Sequence, residues 1–132
     1  YMARCHPDVL ISEVVDRTMK YQYDVLAVEA QAAQEFFADI LAKELRRRGY
    51  PTHTRLKLIK QRTRKALRIE ALLPDIQNGR IRFKRTISRE AMDQFELYPM
   101  HKNDDFPDAV SMCYMAAKLP RKVIVTSGKK FR

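Results

Sequence analysis

A short apolar run at residues 25–28, Val-Leu-Ala-Val, does most to constrain how this chain can fold. A strand built from these residues would be apolar on both faces, which is typical of a central strand covered by helices on both sides. Amphipathic helical patterns flank the run over residues 7–21 and 31–48, and Gly49 follows the second as its expected C′ residue. These features predict an α/β domain with at least partly parallel strand pairing.

The rest of the chain continues this alternation of strands and helices. The Lys/Arg-rich segment after residue 59 carries an apolar stripe at helical spacing, and Pro74 is expected to end that helix. Ser88 is the expected N-cap of a later helix. The further predicted elements are a strand over residues 52–59, a basic helix over 60–73, an Asn78-Gly79 turn, a half-exposed strand over 80–84, and helices over 88–97 and 106–119.

Positive charge is concentrated in one stretch of the chain. The net charge is +10, yet residues 43–85 contain 15 Lys or Arg against three Asp or Glu, a local charge of +12. Such a segment attracts phosphate backbones without reading sequence, and a solvated basic surface is the alternative. The candidate DNA contacts are Arg62, Arg64, Lys65 and Arg68 on the basic helix, and Arg80, Arg82 and Lys84 on the late strand.

Composition narrows the class of protein. The 132 residues suit one domain with its own core, since only three Gly occur and no linker-like segment is visible. No apolar run approaches the roughly 20 residues that span a bilayer, so we expect no membrane contact. Cys5 and Cys113 fit two idle thiols in a reducing compartment, and the three His residues lack the spacing of a zinc site.

Three carboxylates lie within five residues near the last predicted helix: Asp104, Asp105 and Asp108. Capping explains one or two of them, because free N–H groups at a helix N-terminus attract negative charge. With Asp105 as N-cap, Asp108 lies at N3; with an earlier start, Asp104 and Asp108 are i, i+4 neighbours on one face. Three adjacent like charges repel unless a cation compensates them.

A fourth acid, Glu29, ends the apolar run at the predicted carboxyl end of a strand. Functional sites in open α/β sheets gather at such ends, although a strand-end acid can also be merely solvated. Oxygen-only ligands favour Mg²⁺ or Mn²⁺ over zinc. Two such ions about 3.5–4 Å apart can activate water and stabilise the leaving oxygen of a phosphodiester.

The order of these motifs resembles a known family. Val28-Glu29-Ala30 at a strand end, a basic helix, an Asn-Gly turn and then residues 104–110, Asp-Asp-Phe-Pro-Asp-Ala-Val, resemble the nuclease domain of the large terminase subunit of tailed phages or prophages. The resemblance covers residues 1–118. It implies an RNase H-like mixed sheet flanked by helices, with the first strands missing from this chain.

The resemblance also implies an activity. Members are metal-dependent DNA endonucleases that cut concatemeric double-stranded DNA during genome packaging. Here Glu29, Asp108 and Asp105 correspond to catalytic residues that hold Mg²⁺ or Mn²⁺ at a two-metal site, and Asp104 to a further ligand; which of the three Asp residues bind metal directly stays open. The family's first-strand acid has no counterpart in this chain, and its ATPase loop is also missing.

The resemblance further implies an N-terminally incomplete nuclease domain over residues 1–120 and a basic tail over 121–132. The expected partners are double-stranded DNA, the ATPase domain of the same subunit, the small terminase subunit, and the portal or procapsid. The expected location is the cytoplasm of the bacterial host. Two alternatives remain: a nucleic-acid-binding α/β domain without catalysis, and a resolvase-like or transposase-like nuclease on the same fold.

Overall fold

The computed structural model describes residues 5–29 and 33–118, and within them the chain is an α/β domain, as expected. The predicted basic tail at 121–132 and Ala30 of the strand-end motif lie outside the described residues. In chain order the elements are α1 (Pro7–Tyr21), β1 (Leu26–Glu29), α2 (Ala33–Arg47), α3 (Thr52–Arg55), β2 (Leu56–Ile59), α4 (Lys65–Glu70), α5 (Leu73–Gln77), α6 (Arg89–Glu96) and α7 (Asp105–Lys118).

The two described strands pair in parallel, which confirms the predicted pairing. Leu26 lies opposite Leu56 and Glu29 opposite Ile59. Parallel neighbours need a crossover connection of a dozen or more residues, usually a helix, and α2 lies in this crossover. Both strands therefore end at the same edge, and Glu29 is the last residue of β1, as predicted.

One face of β1 closes the main hydrophobic cluster. Leu26 and Val28 point to the same face because side chains alternate along a strand. Both pack against buried side chains from α1, α2 and the residue after Gly49. The i, i+4 spacing within each helix places these side chains on one face. The buried members are Ile11, Val15, Leu41, Leu45 and Tyr50.

The end of α2 follows the prediction made for Gly49. Its φ is +85°, in the left-handed region that a residue without a Cβ adopts at little cost. Its N–H donates to the Arg46 carbonyl, and the Tyr50 N–H donates to the Leu45 carbonyl, both at 2.9 Å. These two bonds form a Schellman motif, which satisfies the last carbonyls of α2 and turns Tyr50 into the core.

A second layer forms around the last helix. α7 contacts β1, α4 and α6, so it links the sheet to the helices of the second half. The buried Gln94 side chain accepts a hydrogen bond from the Phe106 N–H at 2.9 Å, which satisfies one free donor in the first turn of α7. Phe106 also meets Phe83 and Phe95, with ring centroids 6.0 and 6.3 Å away.

The strand predicted over residues 52–59 is only half correct. Thr52–Arg55 forms one helical turn, α3, and the strand begins at Leu56. The Arg55 N–H and the Thr54 hydroxyl both donate to the Pro51 carbonyl. These local bonds outweigh the strand propensity of the threonines. A Thr hydroxyl can bond to a nearby backbone group and so compete with the hydrogen bonds between strands.

The basic helix predicted over residues 60–73 is shorter than expected. α4 covers Lys65–Glu70, and Arg64 has extended backbone angles. Pro74 does not end this helix. It lies in the first turn of the next helix, α5, where its missing N–H costs little.

The predicted strand over residues 80–84 is wrong. The N–H groups of Arg80 and Ile81 donate to the Asp75 carbonyl, at 2.8 and 3.0 Å, so they close α5 instead of joining a ladder. The expected alternation of exposure still holds, since Ile81 and Phe83 are half-buried between exposed basic residues. Exposure alternates because one side of this segment packs on apolar side chains, as Phe83 does on Phe95. Among the described residues the segment does not pair with a strand.

Replacing Tyr50 with Phe tests the core beneath β1. The Tyr50 side chain is buried, and its hydroxyl donates to the Tyr23 carbonyl at 2.7 Å. Tyr50→Phe should lower the free energy of unfolding in urea by about 1 kcal/mol, since one buried acceptor loses its donor. Tyr21→Phe, on an exposed side chain of the same residue type, is the control and should change stability by less than about 0.5 kcal/mol.

The same hydroxyl gives a pH dependence. Burial raises the pKa of Tyr50 above its usual value. The folded state therefore binds its proton more tightly than the unfolded state, and its contribution is complete below the unfolded pKa of about 10. Wild-type stability should fall as pH rises above about 10, more steeply than that of Tyr50→Phe. Parallel curves for the two proteins would contradict this assignment.

Candidate functional site

The acidic motif begins α7 one residue earlier than the predicted helix. Asp105 is the first helical residue and is exposed, while Asp104 immediately precedes the helix. The Asp108 N–H donates to the Asp104 carbonyl at 3.1 Å. Of the two arrangements considered from sequence, the i, i+4 arrangement of Asp104 and Asp108 is the one present.

Asp104 and Asp108 converge on one ammonium group, that of Lys65 at the start of α4. The Lys65 Nζ lies 3.1 Å from Asp104 Oδ1 and 3.7 Å from Asp108 Oδ2. The hydrogen bond to Asp104 raises the pKa of Lys65, and the nearby charges of Asp108 and Asp105 act in the same direction. The repulsion expected among the acids is therefore offset by a cation of the chain itself.

Arg68, one turn along α4, forms the more buried contact. Its Nη2 lies 2.5 Å from Asp108 Oδ1, and the two side chains are only 8% and 17% exposed. Its Nη1 donates to the Thr63 carbonyl at 3.3 Å, whereas the buried Nε has no hydrogen-bond acceptor among the described residues. The Ser111 hydroxyl donates to the Asp108 carbonyl at 2.7 Å and lies 3.4 Å from the carboxylate.

The strand that Glu29 ends is connected to this region by the packing of α7 on β1. The acidic helix contacts the strand that Glu29 ends, so the structure joins the two acidic elements through one packing contact. Within residues 5–29 and 33–118, no group of three or more His, Cys, Asp or Glu side chains is placed to hold a metal ion. Asp104 and Asp108 instead face Lys65 and Arg68.

The predicted DNA contacts fall into two groups. Exposed positions are held by Arg62, Arg64, Arg80, Arg82 and Lys84. Lys65 is also exposed but pairs with acids, and Arg68 is directed into the protein.

Local bonds hold two of the exposed basic side chains. Arg80 pairs with Asp75 at 3.0 Å, and the Arg82 Nε donates to the Gly79 carbonyl at 2.9 Å. These bonds restrain the orientation of the two side chains, and both residues remain exposed.

Sequence reasoning missed the pairing between α4 and α7. The spacing carried a signal, because Lys65 and Arg68 are i, i+3 neighbours and Asp104 and Asp108 are i, i+4 neighbours. Two cations and two acids at matching helical spacing favour helices that pack side by side. The roles of Gln94 and Ser111 had no such signal, since single polar residues give no pattern.

No protein-family model, curated protein or solved structure matches this chain. Both cysteines, Cys5 and Cys113, are free thiols at exposed positions. Across the two described stretches of chain, none of the helices has the length and apolar character needed to cross a membrane.

Asp108→Asn tests the weight of the buried ion pair. The change leaves the Arg68 guanidinium buried without its counter-ion, which should lower the free energy of unfolding by about 3 kcal/mol. Asp105→Asn removes the same charge from an exposed position in the same helical turn and is the matched control, with an expected change below about 0.5 kcal/mol. Chemical denaturation measures both.

A second substitution tests whether the loss of stability comes from the unpaired charge of Arg68. Adding Arg68→Met to Asp108→Asn removes the unpaired charge and should restore part of the lost stability. An Asp108→Asn protein as stable as Asp105→Asn would show that the pair contributes nothing.

Proposed function

We propose that this chain is the metal-dependent nuclease domain of a terminase large subunit, or part of that domain, with an RNase H-like fold. It would cut concatemeric double-stranded DNA during genome packaging in the bacterial cytoplasm. One observation carries the proposal. Glu29 ends a parallel strand, and the helix that carries Asp105 and Asp108 packs on that strand, in the chain order of the family.

The donor set fits a hard divalent cation. Asp104 and Asp108 already direct one carboxylate oxygen each at the Lys65 ammonium, so their geometry allows both to approach one positive charge. Glu29, Asp108 and Asp105, with Asp104 as a further ligand, are the residues that would hold Mg²⁺ or Mn²⁺. When bound, such ions supply activation of water and stabilisation of the leaving oxygen.

The protein's own share of the reaction is to position acids and DNA. Asp108 is oriented by Arg68, whose guanidinium holds one carboxylate oxygen and limits the directions the carboxylate can take. The exposed basic residues Arg62 and Arg64 would contact backbone phosphates, which hold the duplex without reading its sequence. The ATPase domain, the small subunit and the portal or procapsid are proposed as partners on the resemblance alone.

A DNA-binding or RNA-binding domain without catalysis is the second candidate. The observation in its favour is that Lys65 and Arg68 pair with Asp104 and Asp108, so that these two carboxylates are neutralised within the protein. A resolvase-like nuclease would share the fold and differ in substrate, with four-way junctions cut in preference to linear DNA.

Plasmid nicking by the full-length protein with Mn²⁺ separates these candidates. Wild type should nick, and Glu29→Gln should reduce the rate by at least about 100-fold, because a lost ligand weakens a two-metal site. Glu90→Gln, an exposed glutamate on α6, is the control and should retain the wild-type rate. Equal nicking by Glu29→Gln removes Glu29 from the site, and DNA binding without nicking favours the second candidate.

The basic surface is tested by charge reversal. Arg62→Glu with Arg64→Glu should weaken duplex binding at least about tenfold at low salt. It should also flatten the plot of log K against log salt by about 0.9 for each lost phosphate contact. Lys20→Glu with Lys118→Glu changes the net charge equally at exposed positions outside residues 43–85 and should weaken binding much less. Equal losses in both double variants would indicate general attraction only.

A further inference from the structure

Lys65 differs from its basic neighbours in what holds it. Arg62 and Arg64 are exposed, whereas the Lys65 ammonium lies between Asp104 and Asp108, at 3.1 and 3.7 Å. The Lys65 side chain is nevertheless 43% exposed. Lys65 therefore lies between the exposed basic residues and the two acids, Asp104 and Asp108.

The two carboxylates act on Lys65 as a phosphate would. A carboxylate and a phosphate both accept charge-assisted hydrogen bonds from an ammonium group, so they compete for the same donor. Asp104 approaches closer than Asp108, and its own side chain is 38% exposed. The acid nearest to Lys65 is thus also at the surface.

We propose that Asp104 masks Lys65, so that this lysine joins the phosphate contacts of bound nucleic acid only when Asp104 is neutralised. The proposal rests on the nucleic-acid binding proposed above and adds a regulated contact to that surface. A divalent cation drawn to Asp104 and Asp108 would take the place of the ammonium. Occupation of the acids would then strengthen the hold on DNA.

The neighbouring ion pair allows Lys65 to leave without loss of structure. Arg68 keeps its contact with Asp108 at 2.5 Å, with both side chains largely buried. Because Arg68 lies one turn after Lys65, that contact holds α4 against α7 whichever way Lys65 points. The release therefore needs only a side-chain rotation.

Duplex binding without divalent metal tests the masking. The measurement is fluorescence anisotropy of a labelled 20-base-pair duplex in EDTA, over a range of salt. Asp104→Asn should tighten binding about fivefold at low salt and steepen the salt slope by about 0.9, since one phosphate contact is gained. Glu90→Gln removes the same charge from an exposed residue of α6 and should leave the slope unchanged.

Substitution of the lysine gives the sharper result. Lys65→Met alone should stay within twofold of wild type, because a masked lysine contributes little, whereas Arg62→Met should weaken binding and flatten the slope by about 0.9. Lys65→Met added to Asp104→Asn should cancel the gain. If Lys65→Met alone weakens binding as much as Arg62→Met, Lys65 already contacts phosphate and the masking is overturned.

The outcomes also separate this inference from the proposed function. If wild type binds the duplex and Asp104→Asn shows no gain, the masking fails while the nucleic-acid surface stands. If wild type does not bind duplex DNA at all, both fail. Asp104→Ser keeps an oxygen at the residue before α7 and is the second variant should Asp104→Asn not fold.

Discussion

The second half of this molecule depends on one buried ion pair, between Arg68 of α4 and Asp108 of α7. The partners are 40 residues apart in sequence, so their contact fixes the packing of the helix that also rests on β1. A charge taken from water needs a close partner, and an Arg with less than a tenth of its side chain exposed has few alternatives. Lys65, Asp104 and Ser111 all lie around this contact.

Local chemistry decided which parts of the fold could be predicted. α1, α2 and the Gly49 turn follow from apolar periodicity and from the backbone freedom of glycine, both of which act within a few residues. The errors at residues 52–55 and 80–84 have one cause. Backbone donors there bond to the nearby carbonyls of Pro51 and Asp75, and a pattern of apolar and basic residues does not reveal such bonds.

In the candidate site, too, features set by nearby residues could be predicted and contacts between distant residues could not. That Glu29 ends a strand could be predicted, and the i, i+4 arrangement of Asp104 and Asp108 was one of two that the sequence allowed, because both concern residues close together in the chain. That the acids meet Lys65 and Arg68 could not be derived from either element alone. Pairing across 39 and 40 residues depends on how α4 and α7 pack against each other, which no pattern within one helix reveals.

The chain order of the ion pairs has a consequence during synthesis. The basic segment leaves the ribosome before the acids that neutralise it, by about 40 residues. At roughly 5–20 residues per second, that interval lasts about 2–8 s. Throughout it, Lys65 and Arg68 lack the carboxylates that hold them in the folded protein and belong to a basic segment close to ribosomal RNA. Synthesis of the acidic motif therefore supplies the groups that compete with RNA for these two cations.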